Sequence, residues 1–438
     1  MRKVIKDPIH GYIEIDDLAI AVIDTVEMQR LRRIRQLGFS YLVYPGANHT
    51  RFEHSLGVYH LICLLLDRLE VAKEEEQELI VASLIHDIGH GPYSHVTEPV
   101  IKKITGNSHE DIEDIIFKQE VEVEVDAKVE VDVESAKTIV EVLDELSLDT
   151  QRIAGYIKGE RMAEYVEGER DLSKVLNGEI DVDKMDYLVR DSYYTGVAYG
   201  VVDNIRIIHG LDFVNGKVVI TEKGILPAEY LLFSRFLMYP TVYKHHTSRI
   251  AQLMFSKALE YFVKSKSESE DHIRQYALAL RKMDDSEINV ALRNAKGYPE
   301  EMVELINKRQ LFKRAVYKGI NELNEDVATQ LSEEKRRKEI EVEISKRAGV
   351  DEKYVILDFQ GEKGDELKES VAKVVVDKPI QGLQGREQSA REIKSLHEVS
   401  SLVSMLSQAF RENYKVGVYT PARYREEVKK AAEMVIWP

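Results

Sequence analysis

Several features that would place a chain in a familiar class are missing from this sequence. One of its 438 residues is a cysteine, Cys63, so no disulfide framework or cysteine-based zinc knot can form within the chain. No stretch approaches about 18 apolar residues and no apolar signal segment begins the sequence, which excludes membrane contact and predicts a cytoplasmic protein. The GxxxxGK[ST] phosphate loop and the GxSxG elbow are also absent, which excludes the common nucleotide-binding loop and a serine nucleophile of that type.

An excess of basic residues is missing as well. The chain carries 61 Lys and Arg against 77 Asp and Glu, for a formal net charge of −16. This balance argues against general nucleic-acid binding, although a local cluster of Arg and Lys can still hold a nucleotide. The hydrophobic fraction of 44% is that of a globular protein, and the length allows two or three domains.

The pattern of apolar residues predicts a mainly α fold with a small α+β lobe at the C-terminus. Asn215-Gly216 predicts a hairpin turn, and Pro240 predicts a kink or a break in a long helical region. The predicted helical regions are 18–37 (ending at Gly38), 55–69, 74–88, 136–200, 229–262, 268–346, 399–411 and 421–435. The predicted strands are two short ones within 211–220, then 354–359, 371–376 and 414–419. We divide the chain into a core (1–265), a helical extension (266–349) and the C-terminal lobe (350–438).

The segment 119–135 differs from the rest because QEVEVEVDAKVEVDVES alternates valine with charged residues. Strict alternation predicts strands with one apolar face, arranged as a hairpin. A solvated, low-complexity insertion is the alternative. We assign no chemistry to this segment.

The chemistry of the chain is indicated by a His86-Asp87 doublet in the run SLIHDIGHGPYSH. His54 precedes it in RFEHSLGVYH, and Asp183 follows in DKMDYLVRD. Two imidazoles and two carboxylates make a mixed nitrogen and oxygen site, which suits a divalent ion that activates water at a phosphorus centre. A lone histidine on an apolar helix is more often a core residue, but the density of histidines in this run favours a metal site.

Other residues near these motifs can be interpreted as functional, and several of them also have a purely structural interpretation. His90 and His95 follow the doublet and suit proton transfer or the orientation of a ligand, while His109 also suits a helix cap. Arg51 lies three residues before His54, where it suits phosphate capture or an ion pair. Cationic and aromatic residues at Arg235, Tyr239 and Tyr243 share one stripe if the helix continues through Pro240. Such a stripe fits a nucleoside triphosphate, or plain core packing.

The motifs together resemble a known family. DPIHGYIEI, DTVEMQRLRRIRQLG, YPGANHTRFEHSLGVYHL, HDIGHGPYSH and IDVDKMDYLVRDSYYTG are similar to those of the HD-domain deoxynucleoside triphosphate triphosphohydrolases. The resemblance is strong from about residue 3 to about residue 250 and weaker to about residue 345. It implies a helical HD-domain bundle and a reaction that cuts a dNTP into deoxynucleoside and inorganic triphosphate.

The resemblance also implies the roles of individual residues. The metal ligands would be His54, His86, Asp87 and Asp183. His90, His109 and His95 would assist catalysis, with His109 as the acid for the leaving 5′-oxygen. The substrate contacts would be Gln36, Leu37, Arg51, Lys184, Tyr187, Asp191, Arg235 and Tyr243. Glu98 stands where the family has an aspartate.

The family is activated by nucleotides at subunit interfaces, which implies a homodimer or homotetramer and a GTP or dNTP activator. The residues that match a guanine-reading activator site are Lys3, Val4, Asp24, Gln29 and Arg32. A second activator pocket matches at Arg206, Lys223 and His245. Thr241, His246 and Lys6 depart from the family at that pocket.

The predicted function is therefore metal-dependent dNTP hydrolysis, with two alternatives. One is another HD phosphohydrolase, such as a nucleotidase or phosphodiesterase, and the other is a nucleotide-sensing protein without catalysis. Two histidines and two aspartates are compatible with Mn, Fe, Ni, Co, Zn or Mg, so the identity of the ion stays open.

Overall fold

The computed structural model describes residues 3–69, 71–117, 136–160, 170–360, 368–380 and 388–437. The valine-rich segment 119–135, which was predicted to form strands, lies outside these ranges. Among the described residues, no helix has the length and apolarity that a membrane crossing requires. The cytoplasmic location stays a prediction.

The chain begins with a hairpin of two short strands, β1 (Lys3–Asp7) and β2 (Gly11–Ile15). Asp7 pairs with Gly11 across a three-residue loop, and Gly11 has a φ of 78°, a conformation that glycine adopts without strain. Asp7 also accepts hydrogen bonds from the backbone of Ile9 at 2.9 Å and His10 at 2.8 Å. The loop is therefore a rigid turn that carries His10 at its tip.

The next part of the chain is a helical bundle around one large apolar core. Its helices are α1 (Asp17–Ile23), α2 (Val26–Leu31), α3 (Arg51–Leu66), α4 (Lys73–Ile85), α5 (Glu98–Thr105), α6 (Glu113–Ile116), α7 (Ile139–Leu146), α8 (Thr150–Lys158), α9 (Ser173–Leu176) and α10 (Val182–Thr195). Helix α3 is buried on most of its surface and packs against both α4 and α10. Because α3 lies at the centre, side chains from three different helices meet around it.

The single helix predicted over 18–37 is wrong. The chain forms α1 and α2 instead, followed by turns and a short 3-10 helix at Gly38–Leu42. Thr25 has extended backbone angles and its hydroxyl donates to the carbonyl of Val22 at 2.8 Å, so it ends α1 and precedes α2. Periodic apolar residues continue through this break because both helices face the same core, which is why the spacing did not show it.

Beyond α10 the chain forms α11 (Asn204–Gly210), β3 (Leu211–Val214), β4 (Lys217–Ile220), α12 (Glu222–Met238) and α13 (His246–Lys264). The predicted hairpin turn is confirmed, with positive φ angles of 51° at Asn215 and 74° at Gly216. The predicted break at Pro240 is also confirmed, since a π-helical turn at Tyr239–Tyr243 separates α12 from α13.

The remaining elements alternate helices with strands. They are α14 (Glu270–Leu280), α15 (Asp285–Asn294), α16 (Tyr298–Asn307), β5 (Lys313–Gly319), α17 (Glu325–Ser332), α18 (Glu334–Ala348), β6 (Ile356–Phe359), β7 (Lys373–Ile380), β8 (Gln388–Ser395), α19 (Leu396–Val399), α20 (Ser401–Glu412), β9 (Lys415–Thr420) and α21 (Arg425–Ile436). Strand β9 lies between β5 and β6 in an antiparallel sheet, and β3, β4, β7 and β8 form a second sheet in that order.

The prediction that 268–346 is helical throughout is wrong at β5, whose partner β9 lies about a hundred residues further along the chain. Strand β8 was not expected either. The mainly α fold with small sheets is confirmed. The three-part division stays a prediction, and two strands cross its boundaries: β5 joins the sheet of the C-terminal lobe, and Ile220 of β4 pairs with Val374 of β7.

Arg281, at the end of α14, ties the histidine-rich segment after α4 to the rest of the bundle. Its side chain is buried and donates to the carbonyls of Gly89 and Asp111 and to the carboxylate of Asp114. We expect Arg281→Met to lower the free energy of unfolding by roughly 2–4 kcal/mol, because these acceptors lose a buried cationic donor.

Urea denaturation measures this change. The matched control is Arg293→Met, which removes an exposed pair with Glu304 and should cost less than about 1 kcal/mol. Equal effects of the two substitutions would contradict the structural role of Arg281.

Candidate metal centre and active site

The four predicted metal-binding side chains converge on one point. His54 comes from the first turn of α3, His86 is the C-cap of α4, Asp87 follows it, and Asp183 lies in the first turn of α10. His54 Nε2 is 3.3 Å from His86 Nε2, 2.8 Å from Asp183 Oδ1 and 3.8 Å from Asp87 Oδ2. His86 Nε2 is 3.6 Å from Asp87 Oδ1 and 3.8 Å from Asp183 Oδ1.

This spacing fits one small divalent ion. Ligands about 2.1 Å from an ion and about 90–110° apart are separated by about 3.0–3.4 Å, close to the distances between these atoms. His54, His86 and Asp87 also form a group whose donor atoms lie within 4.8 Å of one another. The donor set of imidazoles and carboxylates suits Mn, Fe, Co, Ni or Zn, and Mg with more difficulty.

The hydrogen bonds of the two imidazoles leave a place for a metal ion or a proton between their Nε2 atoms. His86 Nδ1 lies 2.8 Å from the carbonyl of Ser83, and His54 Nδ1 lies 2.8 Å from Asp186 Oδ2, so each Nδ1 is the donor. In the neutral rings both Nε2 atoms then carry lone pairs, 3.3 Å apart and beside two carboxylates. Burial lowers the pKa of His54, but hydrogen bonds to Asp183 and Asp186 outweigh burial and raise it to about 10, so the ring holds a proton when no metal does.

Arg51 adds a fixed positive charge to this centre. Its Nη1 donates to both oxygens of Asp87 at 2.9 Å, and its Nε donates to the hydroxyl of Ser94 at 2.9 Å. Burial raises the pKa of Asp87, but the charge of Arg51 and the nearby His86 outweigh burial and lower it well below its usual range. Arg51 is thus hydrogen-bonded to Asp87, a proposed metal ligand, and also lines the cavity.

Three histidines and one carboxylate lie next to the metal centre. Glu98 accepts from His95 Nδ1 at 2.7 Å and from His109 Nδ1 at 2.5 Å. The ring of His90 stacks on that of His109 with centroids 4.0 Å apart, and its Nε2 is 3.4 Å from Asp87 Oδ1. These side chains form a continuous cluster from the metal centre to His95, whose side chain is 64% exposed.

The surroundings of His90 and His109 shift their pKa values in opposite directions. Burial and the nearby Arg51 lower the pKa of His90 well below its usual value, so this ring is neutral. Burial also lowers the pKa of His109, but the hydrogen bond and charge of Glu98 outweigh burial and raise it. Donor atoms of this group are also close enough for a metal ion. The two hydrogen bonds to Glu98 and the parallel stacking of His90 on His109 suit proton transfer better, because stacked rings cannot aim their in-plane lone pairs at one ion.

A cavity of about 790 Å³ opens beside the metal centre. All eight predicted substrate contacts line it: Gln36, Leu37, Arg51, Lys184, Tyr187, Asp191, Arg235 and Tyr243. Helical periodicity explains part of this, since Asp183, Tyr187 and Asp191 are spaced by four residues and share one face of α10. Lys174, Lys244 and Arg249 add further positive charge to the wall. Six basic side chains therefore line the cavity, together with the carboxylates of Asp87, Glu110, Glu179, Asp183 and Asp191.

One end of the cavity carries a hydrogen-bonded group of side chains. The carboxylate of Asp191 accepts from Tyr243 Oη at 2.9 Å and from His49 Nε2 at 2.8 Å. His49 is buried and stacks on Tyr194 with ring centroids 4.5 Å apart. Burial and the nearby Asp191 raise the pKa of Tyr243 well above its usual value, so the phenol stays protonated. Tyr187 lies against Tyr243, with ring centroids 6.2 Å apart.

The residues predicted to bind an activator lie on the surface in separate groups. Gln29 accepts from Arg32 Nε at 2.9 Å, and the charge of Asp24 acts on Arg32, so these three lie together around α1 and α2. Lys3 and Val4 are exposed on β1.

The second predicted activator pocket does not assemble within one chain. Arg206 on α11 and Lys223 in the first turn of α12 belong to helices that pack together. His245 lies beyond the far end of α12, and a helix of that length spans about 25 Å. The three can form one site only if a second subunit supplies part of it.

Three functional side chains were missed or left without a role by sequence reasoning. Asp186, three residues after Asp183, orients His54. His49 orients Asp191, and Glu98 joins two histidines. A signal was available for Asp186, because a carboxylate at this spacing among apolar neighbours must find buried donors. His49 and Glu98 carry no such signal.

The chain was compared with known proteins. Residues 51–191 match the profile of the HD domain, and residues 202–437 match the profile of the HD associated region. The chain belongs to the HD-domain family. This is a family of metal-dependent phosphohydrolases, so the chain is a hydrolase with a divalent metal as its cofactor.

Individual relatives agree with this family. The uncharacterised protein MJ1154 of Methanocaldococcus jannaschii is 31% identical over 98% of this chain and 81% of its own length. The deoxynucleoside triphosphate triphosphohydrolase SAMHD1 homolog of Dictyostelium discoideum is 31% identical over 61% of this chain, which spans 52% of that protein. A crystal structure of a phosphohydrolase from Bacteroides thetaiotaomicron superposes with a TM-score of 0.69 at 26% identity, covering 96% of this chain and 100% of that one.

Gly57 in α3 allows the side chains of α10 to approach α3 closely beside the proposed metal centre. A Cβ at this position would lie 1.9 Å from Asp186 Oδ1 and 2.5 Å from Arg190 Nη2. We expect Gly57→Ala to lower the free energy of unfolding by about 1–3 kcal/mol and to weaken metal binding, because it displaces this buried ion pair.

Chemical denaturation of the metal-free protein and a metal titration measure the two effects. In a helix interior, replacing glycine by alanine otherwise stabilises by about 0.5–1 kcal/mol. An alanine variant that is more stable than the unmodified protein would show that the close approach of α10 is not needed.

Proposed function

We propose that this chain hydrolyses dNTPs to deoxynucleoside and inorganic triphosphate. The observation that carries the proposal is one cavity in which His86, Asp87 and Asp183 of the donor set meet six basic side chains and the Tyr187–Asp191–Tyr243 group. A triphosphate needs the first two features and a deoxyribose needs the third. The relatives named as deoxynucleoside triphosphate triphosphohydrolases support the same reaction.

His54, His86, Asp87 and Asp183 would hold the ion, which supplies a Lewis acid and an activated water at the phosphorus. Arg51, Lys184 and Arg235 line the cavity and neutralise charge on the triphosphate. Lys184 Nζ is oriented by Asp181 Oδ2 at 2.6 Å and the carbonyl of Gly178 at 3.0 Å, which holds its charge at the wall.

The neighbouring histidines supply the proton that the leaving group needs. His109, whose pKa is raised by its hydrogen bond to Glu98 despite burial, is suited to protonate the 5′-oxygen of the departing deoxynucleoside. Neutral His90 lies between His109 and Asp87 and is suited to orient a phosphate oxygen or a water. Glu98 orients both His95 and His109 through their Nδ1 atoms.

The sugar end of the cavity would select a deoxyribose. Asp191, fixed by His49 and Tyr243, presents a carboxylate that can accept from a sugar 3′-hydroxyl. In this proposal the ring of Tyr243, which lines the cavity, packs under the sugar and excludes a 2′-hydroxyl. Gln36 and Leu37 line the cavity and contact the sugar and base in this proposal.

We further propose that the active form is a homodimer or homotetramer that binds GTP or a dNTP as activator. The cluster of Asp24, Gln29 and Arg32 supports this, because a carboxylate beside an amide and a guanidinium suits the N1–H, N2 and O6 positions of guanine. Lys3 and Val4 would complete that site. The separation of Lys223 from His245 agrees with a second pocket shared between subunits.

Product identity tests the reaction. Metal-loaded protein incubated with each dNTP should release deoxynucleoside and inorganic triphosphate, separated by anion exchange. Asp183→Ala should reduce turnover by at least a thousandfold, because it removes a proposed ligand without changing the buried core, and should also reduce metal content. Release of monophosphate and pyrophosphate would identify another HD phosphohydrolase, and binding without turnover would identify a sensor.

The activator site gives a separate prediction. Asp24→Asn should raise the concentration of GTP needed for half-maximal activation by about tenfold to a hundredfold, because a charge-assisted hydrogen bond contributes about 1.5–3 kcal/mol. Asp17→Asn, an exposed substitution in the same helix, should leave the GTP requirement unchanged. An unchanged GTP response in Asp24→Asn would remove this residue from the site.

A further inference from the structure

The tip of the N-terminal hairpin reaches Asp186, the carboxylate that accepts from His54 Nδ1. His10, at the end of the β1–β2 loop, places its Nε2 2.7 Å from Asp186 Oδ1, and its side chain is 9% exposed. Its ring lies against that of His60 on α3, with centroids 4.9 Å apart. No role was assigned to His10 by the sequence motifs, although it lies in the DPIHG run.

Asp186 is a carboxylate whose two oxygens each accept two hydrogen bonds. Oδ2 accepts from His54 Nδ1 and Arg190 Nε, both at 2.8 Å. Oδ1 accepts from His10 Nε2 at 2.7 Å and Arg190 Nη2 at 2.9 Å. The side chain is fully buried, so these four donors replace all of its hydration.

The same contacts form a closed cycle of hydrogen bonds that includes the hairpin. Arg190 Nη1 donates to Asp7 Oδ2 at 2.9 Å, and Asp7 Oδ1 accepts from the backbone N–H of His10 at 2.8 Å. Around this cycle, Asp7 is hydrogen-bonded to Arg190, Arg190 to Asp186, and Asp186 to His10. The backbone of His10 is in turn hydrogen-bonded to Asp7. Each member is held by two others, so none can rotate without breaking a buried charged hydrogen bond.

We infer that His10 is a positioning residue of the metal centre, holding Asp186 against His54 and making the N-terminal hairpin a structural part of the site. This inference rests on the proposed assignment of His54 as a ligand. The hydrogen bond from Asp186 fixes the tautomer and ring orientation of His54, and partners of this kind change metal affinity by about tenfold to a hundredfold. Without the donor at His10, one lone pair of a buried carboxylate faces no partner and Asp186 shifts toward water or Arg190.

The experiment measures metal binding rather than turnover. Cobalt(II) affinity is determined by competition with a chromophoric chelator, and the visible absorption of the bound cobalt reports the geometry of its ligands. His10→Phe keeps a ring against His60 but has no donor, so it should weaken cobalt binding by about tenfold and change the visible spectrum. His10→Gln carries an amide N–H at a similar reach and should bind cobalt within about twofold of the unmodified protein.

Two further variants make the result specific. Tyr12→Ser changes an exposed residue of the same hairpin and should leave cobalt affinity unchanged. His10→Asn is as polar as His10→Gln but one methylene too short to reach Asp186, so it should resemble His10→Phe. If His10→Phe does not fold, the comparison of Gln with Asn gives the same answer.

The possible results separate this inference from the proposed reaction. Cobalt affinity and spectra that are the same in His10→Phe, His10→Asn and the unmodified protein would overturn the positioning role. Cobalt binding that Asp183→Ala does not weaken would overturn the ligand set and this inference with it. Rescue by Gln alone would support the inference even if no dNTP were hydrolysed, because neither readout depends on substrate.

Discussion

The site depends on one buried carboxylate, that of Asp186. A buried charge without partners is strongly destabilising, and here the four donors from His54, His10 and Arg190 supply what water would have supplied. The donors come from α3, from α10 itself and from the N-terminal hairpin, so satisfying one charge brings three elements together. Gly57 makes this possible, since any larger residue there would occupy the position of Asp186. The contacts that pack the helices together are thus the same contacts that orient His54, a proposed metal ligand.

Basic side chains line the cavity although the chain as a whole is acidic. The chain has a formal net charge of −16, yet Arg51, Lys184 and Arg235 face the space where a polyanion would bind. A cleft with low-dielectric walls concentrates the field of the charges that line it, so the local sign and not the total decides which ligand enters.

The residues of the proposed metal centre could be predicted from the sequence because each motif lies where one helix begins or ends. A motif of this kind can be identified from local sequence, before the tertiary fold is known. His54, His86, Asp87 and Asp183 meet as expected. What the sequence could not show is the set of contacts between distant segments: β5 finds its partner β9 about a hundred residues away, and His49 acquires a role only through Asp191. The helix expected over 18–37 failed for a local reason, since apolar spacing continued across the break at Thr25.

The two histidines of the proposed metal centre are held by unlike partners, which would make them unequal ligands. His86 Nδ1 donates to a neutral carbonyl, that of Ser83, whereas His54 Nδ1 donates to the charged carboxylate of Asp186. A carboxylate partner raises the basicity of the opposite nitrogen more than a carbonyl does, so His54 Nε2 is the stronger donor. In the proposed site, an ion would therefore be bound more strongly by His54 than by His86. Asp183 would be the most exposed of the four ligands, since its side chain is 34% exposed and lines the open cavity. Water and substrate would reach the ion from the side of Asp183.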